Sequence, residues 1–248
     1  TPTLRCNQRC LFCWRSMEHE LETETEPLPE EIVAAIPALQ RKGLSGDKPF
    51  SDQAFWEEAT THPTQYAISL SGEPTLYSRL PELIALLKQG PNSVFVVSNG
   101  TNPAMIRKIH PTQLYLSLDA GNPEEYNRIC RPMGNPETMW NNILESLSLL
   151  EEKEREGVRT AVRTTLVRGL NDTPEDAYAL GNLIKDAHPL FVEIKGYMYL
   201  GFSRQRLSED AVPTMDEIRK FAEEVASASG YRFMDENEPS RVVVYKRT

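Results

Sequence analysis

Short apolar runs separated by longer amphipathic stretches set the pattern of this chain. The runs are AISLSG (67–72), VFVVSNG (94–100), QLYLSLDA (113–120), RTAVRTTLV (159–167) and FVEIKGYMYL (191–200). They are rich in β-branched or aromatic residues and several close on a turn residue, so they predict strands. RVVVYKR (241–247) predicts a last strand at one edge. Between the runs lie LPEEIVAAIPALQRK, SRLPELIALLKQ, PAMIRKI, NPETMWNNILESLSLLEEKEREG, TPEDAYALGNLIKDA and TMDEIRKFAEEVASA. Their apolar residues recur at three- and four-residue spacing, which predicts helices. Asn135 or Thr138, Asp172 or Thr173, and Thr214 with Glu217 three residues on are the expected N-caps, and Gly157 is an expected stop.

Strand and helix in alternation imply right-handed crossovers and a parallel sheet covered by helices, while closure of the sheet is not decided by pattern. In such a fold the chemistry sits beyond the carboxyl ends of the strands. Those positions are Gly72-Glu73-Pro74, Ser98-Asn99-Gly100, Ser117 to Asp119, Arg168, and Lys195 through Arg206, joined by a cysteine loop near the start.

A chain of 248 residues with 40% apolar content suits one domain over 1–248. The formal charge of −9 argues against nucleic-acid binding on the total alone. Much of that acid is crowded into Glu18, Glu20, Glu22, Glu24, Glu26, Glu30 and Glu31, and residues 18–31 read as a mobile loop. No apolar run approaches the roughly 18 residues of a membrane span and no signal peptide is legible, so a cytoplasmic protein without a membrane partner is expected. The chain opens at Thr1 with the cysteine motif close behind, which leads us to expect a preceding N-terminal segment.

Three of the four cysteines, Cys6, Cys10 and Cys13, form a C-x3-C-x2-C motif in LRCNQRCLFCWR. Thiolates this close bind a soft metal, and the missing fourth protein ligand suits a cubane with one open iron. Structural zinc would want a fourth ligand, for which His19 and the distant Cys130 are the candidates. Cys130 reads more simply as a small buried apolar residue. Phe12, just before the third cysteine, is either core packing or a surface for an adenine ring.

With its aromatic before the last cysteine, this motif resembles the radical S-adenosylmethionine (SAM) superfamily. There three cysteines hold a 4Fe-4S cluster and SAM chelates the fourth iron. A partial (β/α)6 TIM-like barrel of parallel strands and outer helices is the expected fold. Gly72, Glu73 and Pro74 resemble the superfamily's GEP motif, which holds the SAM amino group. Asn99, Ser117 and Asp119 fall at the next strand ends, where they could bind ribose and methionyl groups. Arg163, inside a strand, needs an anionic partner and is a candidate for the SAM carboxylate. Met198 or Tyr197 could flank the adenine.

The strings CLFCWR, SLSGEPTLY, VVSNGT, QLYLSLDA, RICRP, TLVRGLN and VEIKGYMY, in that order, resemble the 4-demethylwyosine synthases of wybutosine-type tRNA modification. The resemblance implies joining two carbons of pyruvate to N1-methylguanosine beside the anticodon of tRNA(Phe), with an external one-electron donor. A 5′-deoxyadenosyl radical would take hydrogen from the N1-methyl group, and the resulting radical would add to pyruvate, which loses its carboxyl group. Archaeal-type members carry extra cysteines for a second 4Fe-4S cluster, and a pyruvate-binding lysine, upstream of the motif; residues 1–5 hold neither, and we expect both on the preceding N-terminal segment. Lys195 is the remaining inward candidate, as a Schiff-base lysine or as a charge partner for a carboxylate. Arg9, Arg15, Arg128, Arg131, Arg168, Arg204 and Arg206 fall in or near strand-to-helix loops and could give an acidic protein one basic, tRNA-binding rim. Trp14 and Tyr199 could stack on an extruded base. A radical SAM activase or peptide modifier would share the cluster but not the rim, and a passive iron-sulfur or zinc module would need no SAM pocket.

Overall fold

A computed structural model describes residues 1–17, 25–61 and 63–248. The acidic residues Glu18, Glu20, Glu22 and Glu24, and His19, lie outside the described residues. Glu30 and Glu31 are not loop residues: they occupy the first turn of α1 (Pro29–Gly43), where carboxylates complement the helix dipole.

After α1 come α2 (Gln53–Thr61), β1 (Gln65–Ile68), α3 (Leu80–Leu87), β2 (Ser93–Ser98), α4 (Pro103–Lys108), β3 (Gln113–Ser117) and α5 (Pro123–Cys130). The chain continues through α6 (Pro136–Ser148), α7 (Leu150–Arg155), β4 (Arg159–Leu166), α8 (Pro174–Ala187), β5 (Phe191–Gly196), α9 (Met215–Ser229), β6 (Arg232–Asn237) and β7 (Val242–Lys246). Every predicted strand and helix is present, but the strand expected at an edge, β7, lies inside the sheet between β5 and β6, because the unpredicted β6 pairs along its outer side. Asn135, Thr173 and Thr214 are the caps, each side chain accepting from the third backbone N–H beyond it. The long helix expected over 135–157 breaks at Leu149, whose N–H turns back to Ser146 O.

The sheet runs β1-β2-β3-β4-β5-β7-β6, with β1 to β5 parallel and β7 antiparallel to both β5 and β6. This is the expected mostly parallel α/β architecture of the partial barrel type, but the sixth position is filled by an antiparallel hairpin strand. Along β2 to β5 the even positions Val94, Val96, Leu114, Leu116, Val162, Leu166, Val192 and Ile194 are buried with apolar residues of the helices. Burying each such side chain is worth about 1.5–3 kcal/mol. Alternation turns the odd positions to the opposite, inner face, and there Tyr115, Ser117, Arg163, Thr165, Glu193 and Lys195 are all only half buried. Register places Ser117 beside Arg163, Arg163 beside Glu193, and Thr165 beside Lys195.

Candidate active site around the cysteine loop

The cysteine loop is tied down at several points. Arg9 N–H donates to Cys130 O at 3.0 Å and Leu11 N–H to Ile129 O at 2.9 Å, docking the loop on the end of α5. Glu73 N–H donates to Arg5 O at 2.7 Å, which ties residues just before Cys6 to the end of β1. Gly72 has φ +75°, and a Cβ there would lie 2.2 Å from Thr3 O, so only glycine lets the two backbones approach this closely.

Glu73 is 2% exposed. Its Oε1 accepts from Thr75 N–H (3.0 Å), Thr75 Oγ1 (2.6 Å) and Ser98 Oγ (2.7 Å), and its Oε2 accepts from Asn99 N–H (2.7 Å). Burial pushes the carboxyl up, and these donors oppose the shift. Sequence reasoning placed Glu73 at the right strand end; the structure adds that its carboxylate is a tie between β1 and β2. Asn99 is equally engaged: its Nδ2 donates to Asn7 Oδ1 at 2.9 Å, while its Oδ1 accepts from Thr101 N–H and Oγ1. Asn7 sits between the first two cysteines, so the end of β2 also steers the cysteine loop.

Cys6 and Cys13 line an open cavity of about 490 Å³ with Gln8, Gly72, Met17, Leu4, Leu70, Met133, Arg5, Arg9 and Arg15. Burial raises the Cys6 thiol to about 12, helped by the nearby charges of Cys10, Glu73 and Cys13. Cys10 is raised by its hydrogen bond with Cys130 and then by burial, and it also lies 3.4 Å from Gln8 Oε1. Two of the three thiols therefore face the cavity and the third lies against Cys130. Cys130 is 3% exposed within the main core, as its bland reading required. Cys6 and Cys13 on an open volume, with Cys10 between them in the same short loop, fit a cationic cluster, in which each thiolate takes a separate iron. A mononuclear site needs its ligands to converge, and among the described residues no three His, Cys, Asp or Glu side chains do so.

The remaining candidates divide. Phe12 packs against both apolar clusters, and Pro74 is buried in a short 3-10 turn. Ser117 ends β3 on the inner face. Asp119 is 7% exposed, accepts from Thr165 N–H at 2.7 Å, and is raised by burial to about 6. Tyr197 is core, its hydroxyl 2.9 Å from Ser203 Oγ, whereas Met198 is 38% exposed. Arg163 already has an anion: Glu193 on β5, which sequence reasoning did not single out, although a charge two residues before Lys195 on an inward-facing strand was the available signal. Lys195 has no ion-pair or hydrogen-bonding partner among the described residues.

The arginines divide as well. Arg128 donates to Leu170 O, Arg168 pairs with Glu217, Arg204 lies over Tyr199, and Arg206 binds carbonyls of the cysteine loop. Arg9 and Arg15 line the cavity, and Arg131 is fixed beside Arg9 by the bond from Arg9 N–H to Arg131 O. Trp14 is 46% exposed.

A mostly parallel partial barrel with a three-cysteine loop at the carboxyl ends of its strands defines the radical SAM class, and the model for the radical SAM superfamily matches residues 52–181. A second model, for wyosine base formation, matches residues 186–247. The tRNA 4-demethylwyosine synthase of Methanocaldococcus jannaschii is 38% identical over 98% of this chain and 78% of its own length. That of Pyrococcus horikoshii is 42% identical over 100% of this chain and 73% of its length. A solved structure of TYW1 with a lysine-pyruvate adduct superposes with a TM-score of 0.84 at 38% identity, covering 99% of this chain and 78% of that one. This chain belongs to the S-adenosyl-L-methionine-dependent tRNA 4-demethylwyosine synthase family. It is a radical SAM enzyme of tRNA modification, whose family chemistry uses SAM and a 4Fe-4S cluster. Among the described residues no helix is long and apolar enough to cross a membrane.

Proposed function

We propose that this enzyme condenses two carbons of pyruvate with N1-methylguanosine beside the anticodon of tRNA(Phe), with Cys6, Cys10 and Cys13 holding the 4Fe-4S cluster. The observation that carries the reading is the cavity that Cys6 and Cys13 line together with the Gly72 turn, Arg9 and Arg15. It joins metal-binding thiols to a phosphate-attracting surface. A relative at 38% identity carries a lysine-pyruvate adduct, which supports pyruvate as the second substrate.

When bound, the cluster supplies the single electron that cleaves SAM and starts the radical reaction. The chain's own residues bind and orient. Gly72 and Pro74 shape the turn that presents backbone to the SAM amino group, and Glu73, satisfied by Thr75, Ser98 and Asn99, holds that turn and lends it a buried negative charge. Ser117 and Arg163 on the inner face, and Asp119 just past the end of β3, are the groups that would meet ribose and carboxylate. Met198 is the exposed apolar side chain left for the adenine, and Phe12 backs the loop from the core.

Lys195 is a half-buried cation without a partner on that inner face, suited to an anionic substrate. We place it at the pyruvate carboxylate; reductive trapping with borohydride would reveal an iminium on Lys195 instead. A second 4Fe-4S cluster would draw its ligands from outside residues 1–248, because Cys130 is the one cysteine left over and is buried.

The test is anaerobic reconstitution followed by SAM, a one-electron reductant, tRNA(Phe) bearing N1-methylguanosine, and pyruvate labelled at each carbon in turn. Label from C2 and C3, but not from C1, should enter the tricyclic base. Formation of 5′-deoxyadenosine with no labelled base would favour the activase or peptide-modifier reading.

A further inference from the structure

Arg206 reaches back across the chain to the cysteine loop. Its Nε–H donates to Leu11 O at 3.1 Å, and its Nη2 donates to Cys13 O and, at 3.5 Å, to Arg15 O. Three carbonyls flanking and including the third cysteine thus converge on one guanidinium. The base behind it is firm. Arg206 closes the 3-10 turn Gly201–Gln205, whose Ser203 is fully buried and bonded to the Tyr197 hydroxyl at 2.9 Å. A second strut runs beside it: Phe202 N–H donates to Trp14 O at 2.8 Å. Gly201 has φ +54°, and a Cβ there would lie 2.4 Å from Trp14 O.

We propose that Arg206 is a positioning residue for the iron-sulfur cluster: it fixes the backbone of residues 11–15 so that the Cys13 thiol faces the cavity, and it places a permanent cation beside the cluster. The inference rests on the reading that Cys13 carries an iron. A guanidinium suits the task because its planar fork can serve several carbonyls at once and does not lose its charge. A lysine in its place would keep the charge but act as a single point donor. Reduction adds a negative charge to a cluster already bound by three thiolates, and a fixed cation nearby favours the reduced form. With its Nε and Nη2 donors spent on the loop, Arg206 keeps only Nη1 for a phosphate and cannot offer the two-nitrogen fork with which arginine best grips one.

The experiment uses reconstituted wild type, Arg206→Met and Arg206→Lys. Iron content and SAM cleavage by the wild type test the cluster reading itself; the variants test Arg206. In Arg206→Met, amide exchange at residues 11–15 should accelerate by about tenfold or more while β2 to β5 stay protected. At a fixed solution potential the reduced-to-oxidised ratio of its cluster should fall by about tenfold, a drop of about 59 mV for a one-electron couple. Arg206→Lys should recover most of the potential but little of the exchange protection. If Arg206→Met takes up no iron, the exchange of the metal-free protein still decides: acceleration confined to residues 11–15 supports the proposal. Acceleration throughout the sheet, or a cluster with wild-type potential over a loop with wild-type exchange, overturns it.

Discussion

Arg163 Nε lies 2.6 Å from Glu193 Oε1 on the neighbouring strand, in register, with the guanidinium 4.7 Å from the Tyr115 ring centroid. The pair is close but not aligned as a hydrogen bond through Nε, so the attraction is chiefly Coulombic. With side chains 28% and 14% exposed, the pair is neither dry nor freely solvated. Either Arg163→Met or Glu193→Leu alone should destabilise by about 1–3 kcal/mol, because each strands a poorly solvated charge. The double variant should regain most of that loss in urea unfolding, yet still bind SAM more weakly if Arg163 also meets the SAM carboxylate. Full recovery of SAM affinity along with stability would confine Arg163 to the fold.

Glu73→Gln tests a tie and a ligand together. An amide in place of the carboxylate can accept at one atom only, so at least one buried donor from Thr75, Ser98 or Asn99 loses its partner. The expected cost is about 1–3 kcal/mol of stability, together with weaker SAM binding from loss of the buried charge. Calorimetry that shows unchanged stability but weakened SAM binding would mean that the tie is incidental and the charge alone matters.

Asp119 links the site to pH. Burial raises it from 3.8 to about 6, so the ionised form is the one that folding disfavours. Its stabilising contribution is complete below about pH 3.8, where both states hold the proton, and is lost as pH rises through about 6. Asp119→Asn keeps an acceptor for Thr165 N–H and should make the metal-free protein more stable than wild type at pH 7–8 by about 1–3 kcal/mol, with the two curves converging below pH 4. An acid kept where it weakens the fold is the pattern of a functional group, which is why Asp119 stays among the SAM-binding candidates. Denaturant curves at several pH values that run parallel for the two proteins would remove this argument.

Cys6→Ala, Cys10→Ala and Cys13→Ala should each abolish the brown chromophore or the SAM cleavage, since each removes one iron ligand. Cys130→Ala should retain both, at a stability cost of about 1 kcal/mol for a small buried side chain. Iron analysis and absorbance of the four reconstituted variants give the comparison. Loss of the cluster from a folded Cys130→Ala protein would make its contact with Cys10 a ligand-shell feature and not merely core packing.

The strands were legible because their β-branched runs end in turn residues, and the helices because their apolar residues keep a 3.6 period. What escaped had weak local signals. α5 is eight residues whose buried stripe, Tyr126, Ile129 and Cys130, spans little more than one turn, and β6 (RFMDEN) is almost wholly exposed and has no clean alternation. The site was legible as positions and not as partnerships. Glu73, Asn99 and Arg163 were found at the strand ends and inner face, but that they pair with Ser98, Asn7 and Glu193 depends on strand order and register. Arg206 shows the limit most clearly: a basic loop residue reads as surface, and nothing local reveals a carbonyl 195 residues earlier.

The same partnerships redraw the RNA face. Arg128, Arg168 and Arg206 spend donors inside the chain, whereas the Arg15 and Arg131 guanidinium groups have no ion-pair or hydrogen-bonding partner among the described residues. Arg15 lines the cavity, and Arg131 is backbone-bonded to Arg9 on the same wall. Despite a net charge of −9, tRNA binding should therefore weaken steeply with salt, because each phosphate contact releases a counterion. Reversing Arg15 and Arg131 to Glu together should lower tRNA affinity and reduce the slope of log K against log salt by about 1.4, two contacts at ~0.7 each for single-stranded loops. Reversing Arg128 and Arg168 should act mainly through stability, since Leu170 O and Glu217 lose their partners. SAM cleavage without tRNA should survive the first pair, which is not among the strand-end groups. A salt slope untouched by Arg15 and Arg131 but flattened by Arg128 and Arg168 would put the anticodon loop on the α5–α8 side of the barrel instead of over the cysteine cavity.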